Sequence, residues 1–181
     1  MHRYAALLRG VAPSGRNMSN DKLRGVFEQL GFTGVGSVLA SGNIVFTSDE
    51  VAEPLLEQRI EAALNQNLGI PGRTIVRSQA TLRTLLDSDP FTGLTHGSGT
   101  YLTATFLKNS TVPILTAEHP DGRTRVVGYD PEARAILAVT DNSDPGRTPD
   151  FMVWLEKTYG KDITTRTWLT VQRIVTKLGG R

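Results

Sequence analysis

The chain has 181 residues, no cysteine, and 20 basic against 18 acidic side chains, for a formal net charge of +2. A chain this long buries roughly 70% of its unfolded surface, so it needs no disulfide or metal to fold as one domain or two tightly packed halves. The missing cysteine excludes disulfides, thiol nucleophiles and thiolate metal sites, and it fits a reducing compartment.

In chain order, residues 4–9 form a near-continuous apolar run, as a central strand requires. A polar, glycine-containing loop, 10–18, follows. Leu23, Val26, Phe27 and Leu30 recur at helical spacing, and Gly31 stops that helix. Residues 35–39 and 43–47 read as strands joined by the turn Ala40-Ser41-Gly42. Leu56, Ile60, Ala63 and Leu64 mark a second helix, with Asp49, Glu50 and Glu53 near its start and Gly69 at its end. Residues 73–77 close the first half as a strand. The order β-α-β-β-α-β predicts a ferredoxin-like plait over residues 1–90.

Residues 91–181 predict a second α+β half with mixed or antiparallel strands, packed with the first as one compact unit. A short helix around Leu82, Leu85 and Leu86 leads into it. Strands are expected over 100–107, 125–129 and 135–140, the last two joined by a turn at Asp130-Pro131. Phe151, Trp154, Leu155 and Tyr159 share one helical face. Trp168, Val171, Ile174, Val175 and Leu178 share another, opened by residues 164–168 with Thr167 as N-cap. The order of these strands does not follow from the pattern.

The plait makes a geometric prediction. Its first and third strands lie side by side and antiparallel, so the end of the first meets the start of the third. Arg9, Gly10, Arg16, Asn17, Ser41, Gly42, Asn43 and Arg73 are therefore expected at one end of the sheet, beside the first helix's N-terminus. Unpaired helix N–H groups, forked guanidinium donors and permissive glycines suit an anion there. The same residue types suit turns and caps, and the loop Gly10-Val11-Ala12-Pro13-Ser14-Gly15-Arg16 is neither a Walker A loop nor a G-x-G-x-x-G fingerprint. Arg166, just ahead of the last helix, is a candidate contact from the second half, or a partner for an aromatic ring.

Other chemistry finds little footing. His2, His96 and His119 are scattered, so no metal site is expected, and no cofactor is implied. There is no G-x-S-x-G elbow. Asp87 with Asp89, and Asp141 with Asp144, read as turn residues. No residue stands out as a general base, so no catalytic group is named. An RNA-reading sheet needs exposed aromatics on its first and third strands, and Tyr4 and Phe46 are the candidates. Lys157, Lys161, Arg166, Arg173, Lys177 and Arg181 face only Asp162, and such a cluster either attracts phosphates or complements helix dipoles. The apolar run at 4–8 is too short for a signal-peptide core and no stretch approaches a membrane span, so a cytoplasmic protein without membrane contact is expected.

Ala6-Leu7-Leu8-Arg9-Gly10, Gly15-Arg16-Asn17, Leu39-Ala40-Ser41-Gly42-Asn43-Ile44-Val45-Phe46 and Thr165-Arg166-Thr167-Trp168 together resemble the uncharacterised bacterial family called domain of unknown function 1697. The resemblance implies a ferredoxin-like N-terminal half and a second α+β half, and it brings no activity. Similar proteins read G-[IV]-N-V-G-G-[KR]-N in the first loop, where this chain has Ala12, Pro13 and Ser14. Three readings follow: a binding or enzymatic site for a small phosphate- or carboxylate-bearing ligand, a protein-interaction module, or a nucleic-acid-binding module using the basic C-terminal segment.

Overall fold

The computed structural model describes residues 1–40, 42–109, 119, 122–144 and 151–179. The chain divides into two units, one of Met1–Arg83 with Arg173–Arg181 and one of Thr84–Gln172. The first contains β1 (His2–Leu8), α1 (Asn20–Gln29), β2 (Thr33–Ser37), β3 (Asn43–Ser48), α2 (Glu53–Leu68), β4 (Thr74–Ser78) and the start of α3 (Gln79–Asp87). The second contains β5 (Thr100–Leu107), β6 (Thr124–Asp130), β7 (Ala135–Asp141), α4 (Phe151–Tyr159) and β8 (Ile163–Thr167). The last helix, α5 (Trp168–Leu178), begins in the second unit and ends in the first.

The first sheet is antiparallel, in the order β4-β1-β3-β2, which is the ferredoxin-like order expected of its element sequence. Central β1 is buried from Tyr4 to the end, which is why its sequence reads as an unbroken apolar run. Ser19 caps α1 by accepting from the Lys22 N–H, and Leu23, Val26 and Phe27 turn inward. Gly69 ends α2 in the left-handed conformation, at φ +67°. Phe46 stacks on Tyr4 at 5.6 Å and on Phe32 at 4.6 Å, with Phe27 edge-on. Tyr4 and Phe46 are thus buried in the core and present no stacking platform for RNA bases. The Tyr4 hydroxyl donates to the Glu50 carbonyl, and burial, with Glu53 and Glu50 nearby, raises its pKa.

Edge strand β4 is closed by side chains rather than by another strand. Glu61, Glu57 and Glu53 of α2 accept from the N–H groups of Thr74, Val76 and Ser78 at 2.8, 2.9 and 3.1 Å. Fully buried Arg77 lies 3.7 Å from Glu53 and 3.8 Å from Glu57, so the carboxylates also neutralise a guanidinium.

The second sheet has the order β6-β7-β5-β8 and is also antiparallel. Numbered within its unit, that is the first sheet's order again, and the registers coincide. Ala5 opposes Arg77 where Ala104 opposes Arg166. His2 opposes Ser48 where Tyr101 opposes Thr140. Both second strands carry an irregularity next to a glycine, Gly36 and Gly128. Both fourth strands run directly into a helix capped by their last residue: Ser78 accepts from the Thr81 N–H and Thr167 from the Thr170 N–H.

One expectation needs correction. Of residues 164–168, expected to open the last helix, 164–167 belong to strand β8, and Thr167 ends that strand while capping α5 as expected. β-Branched Ile163, Thr164, Thr165 and Thr167 favour the extended state, and pairing with β5 supplies the partner. No helix among the described residues is long and apolar enough to cross a membrane.

The glutamate ladder gives the first prediction. Glu57→Ala leaves Arg77 buried with one carboxylate fewer and Val76 N–H without its acceptor, and lowers stability by about 3–5 kcal/mol. Glu57→Gln keeps an acceptor for Val76 and falls between the two, as urea unfolding of the three proteins measures.

Candidate functional site

At one end of the first sheet the backbone comes together as the topology demands. Leu8 N–H donates to the Gly42 carbonyl and Arg9 N–H to the Arg73 carbonyl, both at 2.8 Å, while Leu7 opposes Asn43. The approach is close: a Cβ on Gly72 would lie 1.9 Å from the Arg9 carbonyl oxygen. Only glycine fits there, and Gly10 faces it in the left-handed region at φ +77°. Arg9, Gly10, Gly42, Asn43 and Arg73 are gathered; Gly72 joins them, signalled in the sequence only by its Pro-Gly pair.

The loop beyond Gly10 is a β-turn at its centre. Gly15 N–H donates to the Ala12 carbonyl at 2.9 Å, which puts Pro13 at the position whose φ the ring presets. Arg16 is exposed. Asn17 takes a left-handed φ of +63°, and its Oδ1 accepts from Lys22 Nζ at 2.7 Å. Asn17, Lys22, Gln29 and Asn67 line a depression of about 540 Å³ beside α1 and the end of α2. Asn20 Nδ2 donates to the Leu39 carbonyl at 3.0 Å, and its Oδ1 is buried without a hydrogen-bond partner among the described residues.

Lys22 is the residue that sequence reasoning missed. It sits in the first turn of α1, at the positive end of the helix dipole, where a carboxylate is favoured over a cation. That misplaced sign was its signal. Asp21, beside it, is paired with Arg24.

Asn43 serves the hairpin. Its side chain is buried, Nδ2 donates to the Val38 carbonyl at 3.1 Å, and its own carbonyl accepts from the Val38 N–H at 2.9 Å. Ser41 lies outside the described residues. Arg166 belongs to the second unit, where it donates to Thr164 Oγ1 at 2.7 Å and to the Thr165 carbonyl at 3.0 Å. Burial lowers its pKa to about 10, which leaves it charged at neutral pH.

The segments that build this end of the sheet lie within residues 1–129, which match the family described as "Protein of unknown function (DUF1697)". The chain belongs to that family. No curated protein matches it. Among solved structures, the conserved bacterial protein SP0830 from Streptococcus pneumoniae superposes with a TM-score of 0.71 over 98% of each chain, at 19% sequence identity. That likeness extends the fold over both halves of this DUF1697 chain and says nothing of its chemistry.

Two substitutions separate backbone constraint from side-chain role. Gly72→Ala forces β1 and the 69–73 connection apart and lowers stability by about 1–3 kcal/mol in urea unfolding. Asn43→Ala leaves the Val38 carbonyl without the buried amide and lowers it by about 1–3 kcal/mol in the same assay.

Proposed function

We propose that this protein is a cytoplasmic binding module for a small phosphate- or carboxylate-bearing ligand, held in the first unit in the depression beside α1 by Lys22 of that helix's first turn. The observation that carries the reading is Lys22. Its ammonium group stands at the positive end of a helix, tethered to neutral Asn17 on the wall of a solvent-facing depression. An anion there relieves the like-signed pairing of cation and helix dipole, and gains charge-assisted hydrogen bonds. The exposed guanidinium of Arg16 is one residue from Asn17 and adds to the local positive charge. The amide side chains of Gln29 and Asn67 on the same wall can donate and accept, so a ligand with hydroxyl groups, such as a sugar phosphate or hydroxy acid, suits the site better than a bare anion. No residue in this arrangement is placed as a general base, and the reading stops at binding.

Calorimetric titration with inorganic phosphate, a hexose phosphate and a hydroxycarboxylate tests it. The hexose phosphate or hydroxycarboxylate binds more tightly than phosphate, Lys22→Ala weakens it by about tenfold or more, and added salt weakens it further. Equal affinity in wild type and Lys22→Ala overturns the reading. Binding only to oligonucleotides, lost in salt, moves the function to the basic C-terminal segment.

A further inference from the structure

We propose that the second unit carries a separate binding cavity for a small, uncharged molecule with a flat apolar body and hydrogen-bonding groups on its edge. The cavity has a volume of about 410 Å³ and is lined by Thr103, Thr140, Thr165 and Thr167 of the sheet, Phe151 and Met152 of α4, and Tyr101. That volume falls within the roughly 300–1,000 Å³ of small-molecule pockets.

The two sheets explain why space is left here. They share strand order and register, so each position in one has a counterpart in the other. In the first sheet Tyr4 opposes Phe46 and Ser78, and the two rings stack at 5.6 Å within the core. In the second sheet Thr103 opposes Ala138 and Thr167. Ala138 packs in the core with Phe151, while Thr103, in the place of the larger Tyr4, lines the cavity. Loose packing costs stability unless something fills it.

The wall is chemically specific. The Thr103 hydroxyl oxygen is buried without a hydrogen-bond partner among the described residues, and rotation about one bond turns it to a ligand. Thr165 bonds Thr105 at 2.8 Å, Thr140 bonds Thr124 at 3.1 Å and Thr167 bonds Thr170 at 2.9 Å. In each pair either oxygen can be the donor, so the threonine on the wall can offer a ligand a proton or a lone pair. Phe151 is a fixed apolar face, stacked on Trp154 at 5.8 Å and met edge-on by His119 at 5.9 Å. Partly exposed Tyr101 and Met152 supply further apolar surface. None of the seven lining residues carries a formal charge. A charged ligand would shed water there with no counter-ion in the wall, so neutral molecules are favoured.

Backbone amide shifts of the full chain, recorded by NMR during titration with benzamide, and with benzoate and benzylamine as charged counterparts, test the proposal. Benzamide is expected to move the amides of Tyr101, Thr103, Thr165 and Thr167, with both charged probes at least about tenfold weaker. Thr103→Val keeps the shape and removes the hydroxyl; it is expected to weaken benzamide by about tenfold while Tm stays level or rises, because an unpartnered buried oxygen is gone. Thr103→Tyr places in the cavity the ring that Tyr4 has in the first unit, and is expected to abolish the shifts. Lys22→Ala leaves the titration unchanged, which separates this cavity from the anion site. The proposal is overturned if benzamide moves no amide in the second unit, or if Thr103→Val binds it as wild type does. Should Thr103→Tyr fail to fold, Thr103→Val alone decides.

Discussion

Three carboxylates laid along the free edge of a strand hold the first unit together. A four-residue step along a helix advances roughly 6 Å, and a two-residue step along a strand roughly 6.7 Å. Glu53, Glu57 and Glu61 therefore meet every second N–H of β4 in turn, at Ser78, Val76 and Thr74. The arrangement covers an edge that would otherwise be open to another strand. It also places negative charge where Arg77, fully buried and opposite Ala5 of β1, needs it. Removing the glutamates would leave α2 without its register on the sheet and a guanidinium without its counter-ions.

The candidate anion site hangs on that anchoring. The ladder ends at Thr74, the next residue back is Arg73, and its carbonyl takes the Arg9 N–H. Gly72 allows the two chains to touch. The position of loop 10–17, and with it Asn17 and the start of α1, follows from where β1 is held. Asn43 is consumed by its own hairpin, whereas Lys22 stands against a helix dipole that a bound anion would offset.

The second unit uses the same frame with a different filling. Where Tyr4 stacks on Phe46 in the first sheet, Thr103 stands on the wall of a cavity in the second. A shared register makes such differences readable as substitutions at fixed positions. The first unit fills its volume with a dense aromatic core, and the second keeps a space whose wall is mainly apolar with threonines along it.

The elements of the first half were legible because each is announced locally. Apolar periodicity marks α1 and α2, Gly69 ends α2, and the alternation of helices with strands leaves the plait as their simplest arrangement. The meeting of Arg9, Gly42, Asn43 and Arg73 followed from that topology. Strand β8 was not legible, because it runs into α5 with no intervening turn and its threonines resemble a helix approach. Glu53 reads only as acidic charge at a helix start, and Glu57 and Glu61 carry no signal until β4 lies beside them, nor does Lys22 until Ser19 caps the helix. By itself, then, the sequence determined the kinds and order of most elements, the family, and the end of the first sheet at which polar loops converge. Only the tertiary structure decided the ladder, the burial of Arg77, the duplicated register and the cavity. Propensity and periodicity report a residue's neighbours along the chain; these features depend on what stands across from it, tens of residues away.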